Sequence, residues 1–408
     1  MTAPTTSFED STSDWPAWTP LAEEATFLAA VAAGSDRVLI EDIDTTHQGR
    51  SIRRIRIGYP SAPTNTELHD ARNVLFVATQ HGYERGGREA ALQAIRDLAY
   101  TTDPALTGYL AAHPVIFIPT ASPDSWALNS RVNALIQNSN AGHLDYQFVE
   151  SRAIGQTIHD YNPQVIIDQH EHTEAKPPYA VDAAVGFNNA PDIVSVAADM
   201  RDATWAALTA AGHTPNGSYG SGGSQGLGPI SSARNHIFQL FETWGQGDTT
   251  SITFKQAVAA QRLNIDTIIA WHAANHAAVA SAIHAARGWQ INAGAAQAQF
   301  NAAPGAYAAI NPGPAGYRIT AEQAAAIATA IVLHELHTSE IPGSSDIYIT
   351  MAQPSRAVIP NLLDTISPWR AVDGTRLMTE PEGVIPYEDD PSPPLSPRRR
   401  AASVVGLL

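Results

Sequence analysis

The chain has 408 residues, enough for one large domain or for two of ordinary size. Apolar residues make up 44% of it, so it can bury a sizeable core, and 24 Lys and Arg against 40 Asp and Glu give a net charge of -16. This acidic balance argues against nucleic acid as a partner. Cysteine is absent, which excludes disulfides, thiolate ligands and a cysteine nucleophile, so any metal must be held by His and carboxylates.

The first residues predict no signal peptide, because they contain neither a basic stretch nor an apolar one after it. No segment approaches the roughly 20 apolar residues that cross a bilayer, so we expect no membrane partner. The expected protein is soluble and is either cytoplasmic or carried in a particle.

The predicted elements alternate between strands and helices along the chain. The predicted strands are apolar or alternating runs, at 37–40, 52–58, 74–78, 114–119, 165–168, 236–242 and 346–351. The run at 52–58 alternates apolar and basic residues, which is typical of a half-exposed edge strand. The predicted helices have helical apolar spacing or are rich in Ala, at 21–33, 89–98, 150–161, 204–211, 255–287 and 321–336.

This alternation predicts an α/β fold, with a mixed, mostly parallel twisted sheet covered by helices on both faces. Four segments are expected. Residues 1–35 form an N-terminal segment with a helix, and 36–289 form the main domain. Residues 290–375 add an α/β extension packed on it, and the Pro-rich residues 376–408 form an extended tail, for which an assembly partner is left open.

Two predicted strand ends present metal-ligand residues. His81 and Glu84 follow the buried run 74–78, and His170 follows the run 165–168. The carboxyl ends of parallel strands meet at one edge of a sheet, where open α/β sheets bind their ligands. Two imidazoles and a carboxylate, with the fourth position left to water, are typical of a catalytic zinc. The sequence therefore predicts one zinc per chain. We expect His172 to point to the opposite face of the strand and to be the poorer ligand.

Four motifs resemble, in order, those of the zinc carboxypeptidase family, the metallopeptidases of the carboxypeptidase A type. The resemblance covers about 36–274, most of the predicted main domain, and less closely the C-terminal section to 364. The motifs are His81-Gly82-Tyr83-Glu84, Ser122-Pro123-Asp124-Ser125 with Arg131-Val132-Asn133, Asp168-Gln169-His170-Glu171 and Phe238-Gln239-Leu240-Phe241-Glu242-Thr243.

The resemblance implies zinc-dependent hydrolysis of an amide bond in a peptide or peptide-like substrate. Glu242 would be the general base that takes a proton from the zinc-bound water. Arg131 would stabilise the oxyanion as a fixed cation. From the residues alone, Glu242 has another reading, as a buried carboxylate paired with a structural arginine such as Arg234.

The sequence departs from the family pattern at 138–141, where the family has an Asp-x-Asn-Arg segment. Asn140 keeps the amide and is a candidate substrate contact. Asn138 replaces the aspartate that orients the first zinc histidine; it is neutral but can still accept a hydrogen bond from the Nδ1–H. Ala141 replaces the arginine that clamps a peptide's C-terminal carboxylate.

A carboxylate in a closed pocket must be paired, so the loss of this arginine leaves two alternatives. In the first, another cation reaches the same place, with Arg85, Arg88 and Arg234 as candidates. In the second, which is simpler, the substrate has no carboxylate there. Tyr219, in a Gly-rich segment that we expect to be a flap, is a further candidate substrate contact. His334 is expected at the surface.

The function expected from the sequence is a zinc-dependent hydrolase of peptide bonds that is not a strict C-terminal carboxypeptidase. The alternative is a zinc-binding structural or binding module that has lost catalysis, for example in a phage or secretion particle.

Overall fold

The structure is a computed structural model, which describes residues 3–70, 72–172, 179–183, 188–217, 225–245, 252–301 and 309–388. Its main sheet has eight strands in the order β1-β2-β4-β3-β5-β8-β6-β7. The strands are β1 (Val38–Thr45), β2 (Ser51–Ile57), β3 (Val74–Ala78), β4 (Val115–Ile118), β5 (Val165–His172), β6 (Tyr179–Asp182), β7 (Pro215–Asn216) and β8 (Ile237–Trp244).

The centre of this sheet is parallel. Strands β4, β3, β5 and β8 pair in parallel, while β1–β2, β2–β4 and β6–β8 are antiparallel. Each of the five residues of β3 is buried, which explains its uninterrupted apolar sequence, since an inner parallel strand has no solvent face. The predicted mixed, mostly parallel sheet is confirmed.

The expectation that residues 52–58 form a half-exposed edge strand was wrong. Strand β2 pairs with β1 on one side and with β4 on the other, so β1 is the edge. Two of the three basic residues of β2 are buried, because Arg54 and Arg56 both bind the carboxylate of Glu41, at 3.0 Å, and lie over the ring of Tyr161. Arg53 is half-buried and pairs with Asp42. On the opposite face of β2 from Arg54 and Arg56, Ile55 and Ile57 pack into the main apolar core.

Thirteen α-helices occur among the described residues. They are α1 (Ser7–Asp10), α2 (Leu21–Gly34), α3 (Asn65–Asp70), α4 (Gly86–Tyr100), α5 (Pro104–Ala112), α6 (Pro123–Leu128), α7 (Val149–Tyr161), α8 (Pro191–Ala210), α9 (Leu227–Ala233), α10 (Phe254–Ala295), α11 (Ala321–Ala326), α12 (Ala328–Leu333) and α13 (Ile359–Leu363). A 3₁₀ turn covers Ser139–Ala141. None of the described helices combines the length and apolar character needed to cross a bilayer.

Helices cover both faces of the main sheet. On one face, α2, α4 and α10 pack against side chains such as Phe76 and Ile167. On the other face, α7 and the start of α9 pack against their strand neighbours, such as Val77 and Ile166. Alternation along the central strands thus supplies two apolar cores, one for each layer of helices.

A second, antiparallel sheet follows, in the order β10-β11-β9-β12. Its strands are β9 (Gly316–Ile319), β10 (Thr338–Glu340), β11 (Ile347–Thr350) and β12 (Thr375–Leu377). Its core includes Leu144 and Tyr146 from the main domain, so the sheet packs directly on that domain.

Two expectations fail in this second region. His334 is fully buried instead of exposed, because its Nε2 bonds the Leu144 carbonyl at 2.8 Å. The segment expected to be an unpacked tail from residue 376 begins inside β12, and the Ile385 carbonyl lies 2.9 Å from the Nε2 of His337. Residues 389–408 lie outside the described part of the chain.

Candidate metal centre and active site

A tight turn carries the chain from β3 to α4 and positions His81. Thr79 has a φ of +54°, a strained backbone for a β-branched residue, worth about 1–3 kcal/mol. Gly82 lies against α6, where a Cβ would be 1.8 Å from the Ser125 carbonyl oxygen, so no other residue fits without moving the chain. The sequence therefore keeps this turn in one shape at the carboxyl edge of the sheet.

The three predicted ligands meet at this edge. The Nδ1 of His81 lies 2.7 Å from Oε1 of Glu84, and the Nδ1 of His170 lies 2.6 Å from Oε2 of the same carboxylate. One donor atom from each of the three residues falls within 4.8 Å of the others, and all three residues are buried. Within the described residues, no other group of His, Cys and carboxylates has this geometry.

Each imidazole also has a partner behind it. The Nε2 of His81 faces Oδ1 of Asn138 at 3.0 Å, and the Nε2 of His170 faces Oδ2 of Asp168 at 2.9 Å. The sequence had assigned Nδ1 of His81 to Asn138, and this was wrong, since Nδ1 faces Glu84. Inner nitrogens that converge and outer nitrogens that are hydrogen-bonded are the usual arrangement of metal-binding histidines. The residues present therefore fit zinc.

Sequence reasoning missed the residues that hold Asp168. The side-chain amide of Gln80 donates to both carboxylate oxygens of Asp168, at 2.9 and 2.8 Å, and His143 lies 2.8 Å from the Gln80 oxygen. Burial lowers the pKa of His143 to about 4, so it is neutral in this position. A signal was available, because Asp168 and His170 are two residues apart on one strand and must share a face.

The cluster is electrostatically coupled. Burial alone would raise the pKa of Glu84, but the neighbouring His81 and His170 outweigh it and hold this pKa well below its ordinary value. Burial would likewise lower the pKa of His170, but the carboxylates of Asp168 and Glu84 raise it well above the ordinary value. The carboxylates of Asp168 and Glu84 thus favour the proton on His170, and metal binding competes with that proton.

Glu171 anchors the start of α4 beside the cluster. Its two carboxylate oxygens accept hydrogen bonds from the backbone N–H groups of Arg85 and Gly86, both at 2.9 Å. Its own N–H donates to Oε2 of Glu84 at 3.2 Å. Burial, with a smaller contribution from the charge of Glu84, raises the pKa of Glu171 to about 8. Glu171 thereby joins β5, the strand that carries the third ligand His170, to the turn that carries His81 and Glu84.

As expected, His172 does not belong to the cluster. We expected it to point to the opposite face of the strand from His170, and this reason was wrong. Residues two apart on a strand share a face, and β5 continues through His172. Its ring lies instead against Trp244, with centroids 6.2 Å apart.

Arg131 and Asn140 both reach the cluster from the loop that follows α6. Nη1 of Arg131 lies 3.6 Å from Oε1 of Glu84 and 3.4 Å from the hydroxyl of Tyr83, which the sequence had not marked. The side chain of Arg131 is 54% exposed, so it can meet a ligand. Asn140 lies between the metal centre and α9, with Nδ2 3.3 Å from Nε2 of His170 and Oδ1 accepting from the Leu227 N–H.

Glu242 lies on β8 directly beside His170, its registered partner on β5. Parallel partners point to the same side of the sheet, so the carboxylate faces the metal edge. The alternative pairing of Glu242 with Arg234 gains no support from Arg234, whose buried guanidinium is hydrogen-bonded to the Tyr146 hydroxyl.

Three arginines were considered from the sequence as replacements for the missing clamp, and each of them binds another residue of the chain. Arg88 is fully buried and binds Glu24 at 2.7 Å. Arg85 stacks over Trp126 and bonds Asn129. Buried Arg234 is hydrogen-bonded to the Tyr146 hydroxyl. Tyr219 lies outside the described residues.

Comparison with known proteins agrees with this geometry. Residues 25–143 match the family model described as zinc carboxypeptidase, a span that includes His81, Glu84 and Arg131 and ends before His170 and Glu242. A search of curated proteins finds no match.

Several solved structures share the fold. A metallo-carboxypeptidase from Burkholderia cenocepacia has 19% identity and a TM-score of 0.51, over 63% of this chain and 70% of the other. A metallo-carboxypeptidase from Pseudomonas aeruginosa, in complex with (2-guanidinoethylmercapto)succinic acid, has 17% identity and a TM-score of 0.51, over 65% and 71%. Carboxypeptidase A from Helicoverpa armigera has 15% identity and a TM-score of 0.50, over 69% and 78%.

The chain has a carboxypeptidase-like α/β fold, and its His-Glu-His group could hold a metal ion. Over residues 25–143 the chain is similar to the zinc carboxypeptidases, and zinc is the metal that this similarity and the His81, Glu84 and His170 group imply.

Proposed function

We propose that the protein hydrolyses amide bonds of peptides with zinc at His81, Glu84 and His170, and that it does not require a free C-terminal carboxylate. One observation carries the proposal. The 3₁₀ turn that brings Asn140 to His170 ends at Ala141, so a methyl group stands where the family pattern has its clamping arginine. The contact of Asn138 with His81 supports this alignment, since the family's orienting residue is expected there.

The chemistry follows from the residues around the centre. When bound, zinc lowers the pKa of its water towards ~7 and polarises the scissile carbonyl. Glu242, beside His170 in the strand register, accepts the proton of the attacking water and passes it to the leaving amine. Arg131, the half-exposed cation beside Glu84, stabilises the negative charge that develops on the carbonyl oxygen.

The specificity follows from the cations. Arg85, Arg88 and Arg234 are the candidates that could replace the missing clamp, and each already has a partner away from the cluster. A buried carboxylate without a partner is costly, so a free-acid peptide gains nothing from its terminus here. Capped or internal peptide bonds should be accepted equally well.

A matched substrate series tests this proposal. Each peptide is prepared as the free acid and as the C-terminal amide, and kcat/KM is compared for the zinc-loaded protein. We expect the ratio of free acid to amide to be one or lower. A preference of about a hundredfold or more for the free acid, which is the effect of a charge pair, would contradict the specificity. Ala141→Arg should raise activity on the free acids alone.

The catalytic assignment has its own test. Glu242→Gln should retain zinc and lose about 10²–10⁴-fold in kcat, the usual contribution of a general base. Glu340→Gln, on the short strand β10 of the second sheet, is the matched control and should keep full activity. Zinc binding without turnover in the parent protein would instead favour a catalytically silent zinc module.

A further inference from the structure

The loop between Arg131 and Asn138 ends in an exposed apolar tip beside the metal centre. Leu135 and Ile136 are 50% and 83% exposed, and Leu128 at the end of α6 is 49% exposed. Ile136 is the most exposed large apolar residue among those described. These three side chains fall within nine residues of sequence around Arg131, whereas the other exposed large apolar residues are spread over the rest of the described chain.

A dedicated set of hydrogen bonds holds this tip in place. Oδ1 of Asn133 accepts from the N–H groups of Leu135 and Gln137, at 2.9 and 3.0 Å, and its Nδ2 lies 3.2 Å from both oxygens of Glu150 on α7. Ile136 has a φ of +62°, which a β-branched residue rarely adopts. The hydrogen bonds of Asn133 therefore hold Ile136 in a fixed position, although both its exposure to solvent and its backbone conformation are unfavourable for this residue type.

The position of the tip relates it to the reaction. Ile136 is two residues from Asn138, so their Cα atoms are within about 7 Å, and Asn138 contacts His81. On the other side, Arg131 reaches Glu84 and the hydroxyl of Tyr83. The tip and these two site residues thus form one continuous margin of the metal centre.

We propose that Leu135 and Ile136 form a substrate-binding platform that receives an apolar side chain of the peptide next to the scissile bond. This inference rests on the proposed function. The occupant follows from chemistry. An exposed aliphatic pair gains free energy only by covering apolar surface, and the substrate is the molecule that binds at the metal centre beside this margin. The platform selects peptides by an apolar side chain, independently of the chain terminus.

Binding to the zinc-loaded full-length Glu242→Gln variant tests the platform without turnover. The probes are acetylated, amidated tetra-alanine peptides in which one alanine is replaced by leucine or by serine. Ile136→Asn keeps a residue that tolerates positive φ and removes the apolar surface. We expect it, and Leu135→Ser separately, to weaken the best leucine peptide about tenfold and the serine peptide less than twofold. Ile385→Asn, whose parent side chain is 69% exposed elsewhere, should change neither.

The outcomes separate this platform from the proposed function. Unchanged affinity of Ile136→Asn for the leucine peptide, or an equal loss for leucine and serine peptides, overturns the platform. Absence of any peptide binding to the zinc-loaded protein also overturns it. Selective binding in a parent protein that hydrolyses none of these peptides would refute the proposed hydrolase and leave the platform standing. Zinc content is measured for each variant; if Ile136→Asn loses zinc, the Leu135→Ser result decides.

Discussion

Replacing Asn138 by aspartate should strengthen zinc binding, because it restores a charged partner to the first zinc histidine. In the structure, Oδ1 of Asn138 lies 3.0 Å from Nε2 of His81 and also accepts the N–H of Asn140 at 3.1 Å. A carboxylate accepts both bonds without rearrangement. Because Asn138 is only partly buried, the desolvation of the new charge is modest.

The magnitude follows from the change in hydrogen-bond type. A neutral hydrogen bond contributes about 0.5–1.5 kcal/mol net and one to a charged group about 1.5–3 kcal/mol. The gain of about 1–1.5 kcal/mol corresponds to roughly tenfold tighter zinc binding. Asn138→Leu removes the acceptor and should weaken zinc binding by about tenfold or more, since such outer partners are worth 10–100-fold in affinity.

Competition with a chelator of known zinc affinity, at one pH and ionic strength, measures both changes. Asn162→Asp, at the end of α7, adds the same charge away from the centre and should have no effect. If Asn138→Asp and Asn138→Leu both bind zinc like the parent, the contact does not orient His81, and the reading of residues 138–141 loses its support.

Three further predictions follow from the same contacts. His170→Ala should lower the zinc content well below one per chain by metal analysis; a full complement would move the third ligand elsewhere. Burial, and after it the neighbouring positive charges, lower the pKa of His272 to about 3. The unfolded chain therefore binds a proton at this residue more strongly than the folded one, and stability is lost as the pH falls below about 6.5. Between pH 7 and 4.5 this one group should remove about 2–3 kcal/mol, and His272→Gln should flatten the urea-denaturation profile, with zinc chelated throughout. Truncation after residue 388 should leave zinc binding and the thermal midpoint unchanged, whereas truncation after Glu380 removes the Ile385 carbonyl that contacts His337 and should lower the midpoint.

The sequence alone determined the parallel centre of the sheet and the metal-ligand residues at its edge. Inner parallel strands are uninterrupted apolar runs, which are readable without a structure, and their carboxyl ends must share one edge, so His81, Glu84 and His170 could be brought together from spacing and strand order. Asn138 was assigned to His81 from the family pattern, and the structure confirms the contact although not the nitrogen.

Tertiary structure decided the features that depend on neighbours distant in sequence. The periodicity of β2 predicts an edge strand with exposed basic residues, yet Arg54 and Arg56 are buried because Glu41 and Tyr161 are their partners. His334 is buried because a main-domain carbonyl accepts its hydrogen bond. The engagement of Arg85, Arg88 and Arg234 likewise depends on residues brought close only by folding. A sequence pattern indicates the solvent exposure that a residue type prefers. The partner that compensates the cost of burying a polar group comes from another part of the chain, so only the tertiary structure shows it.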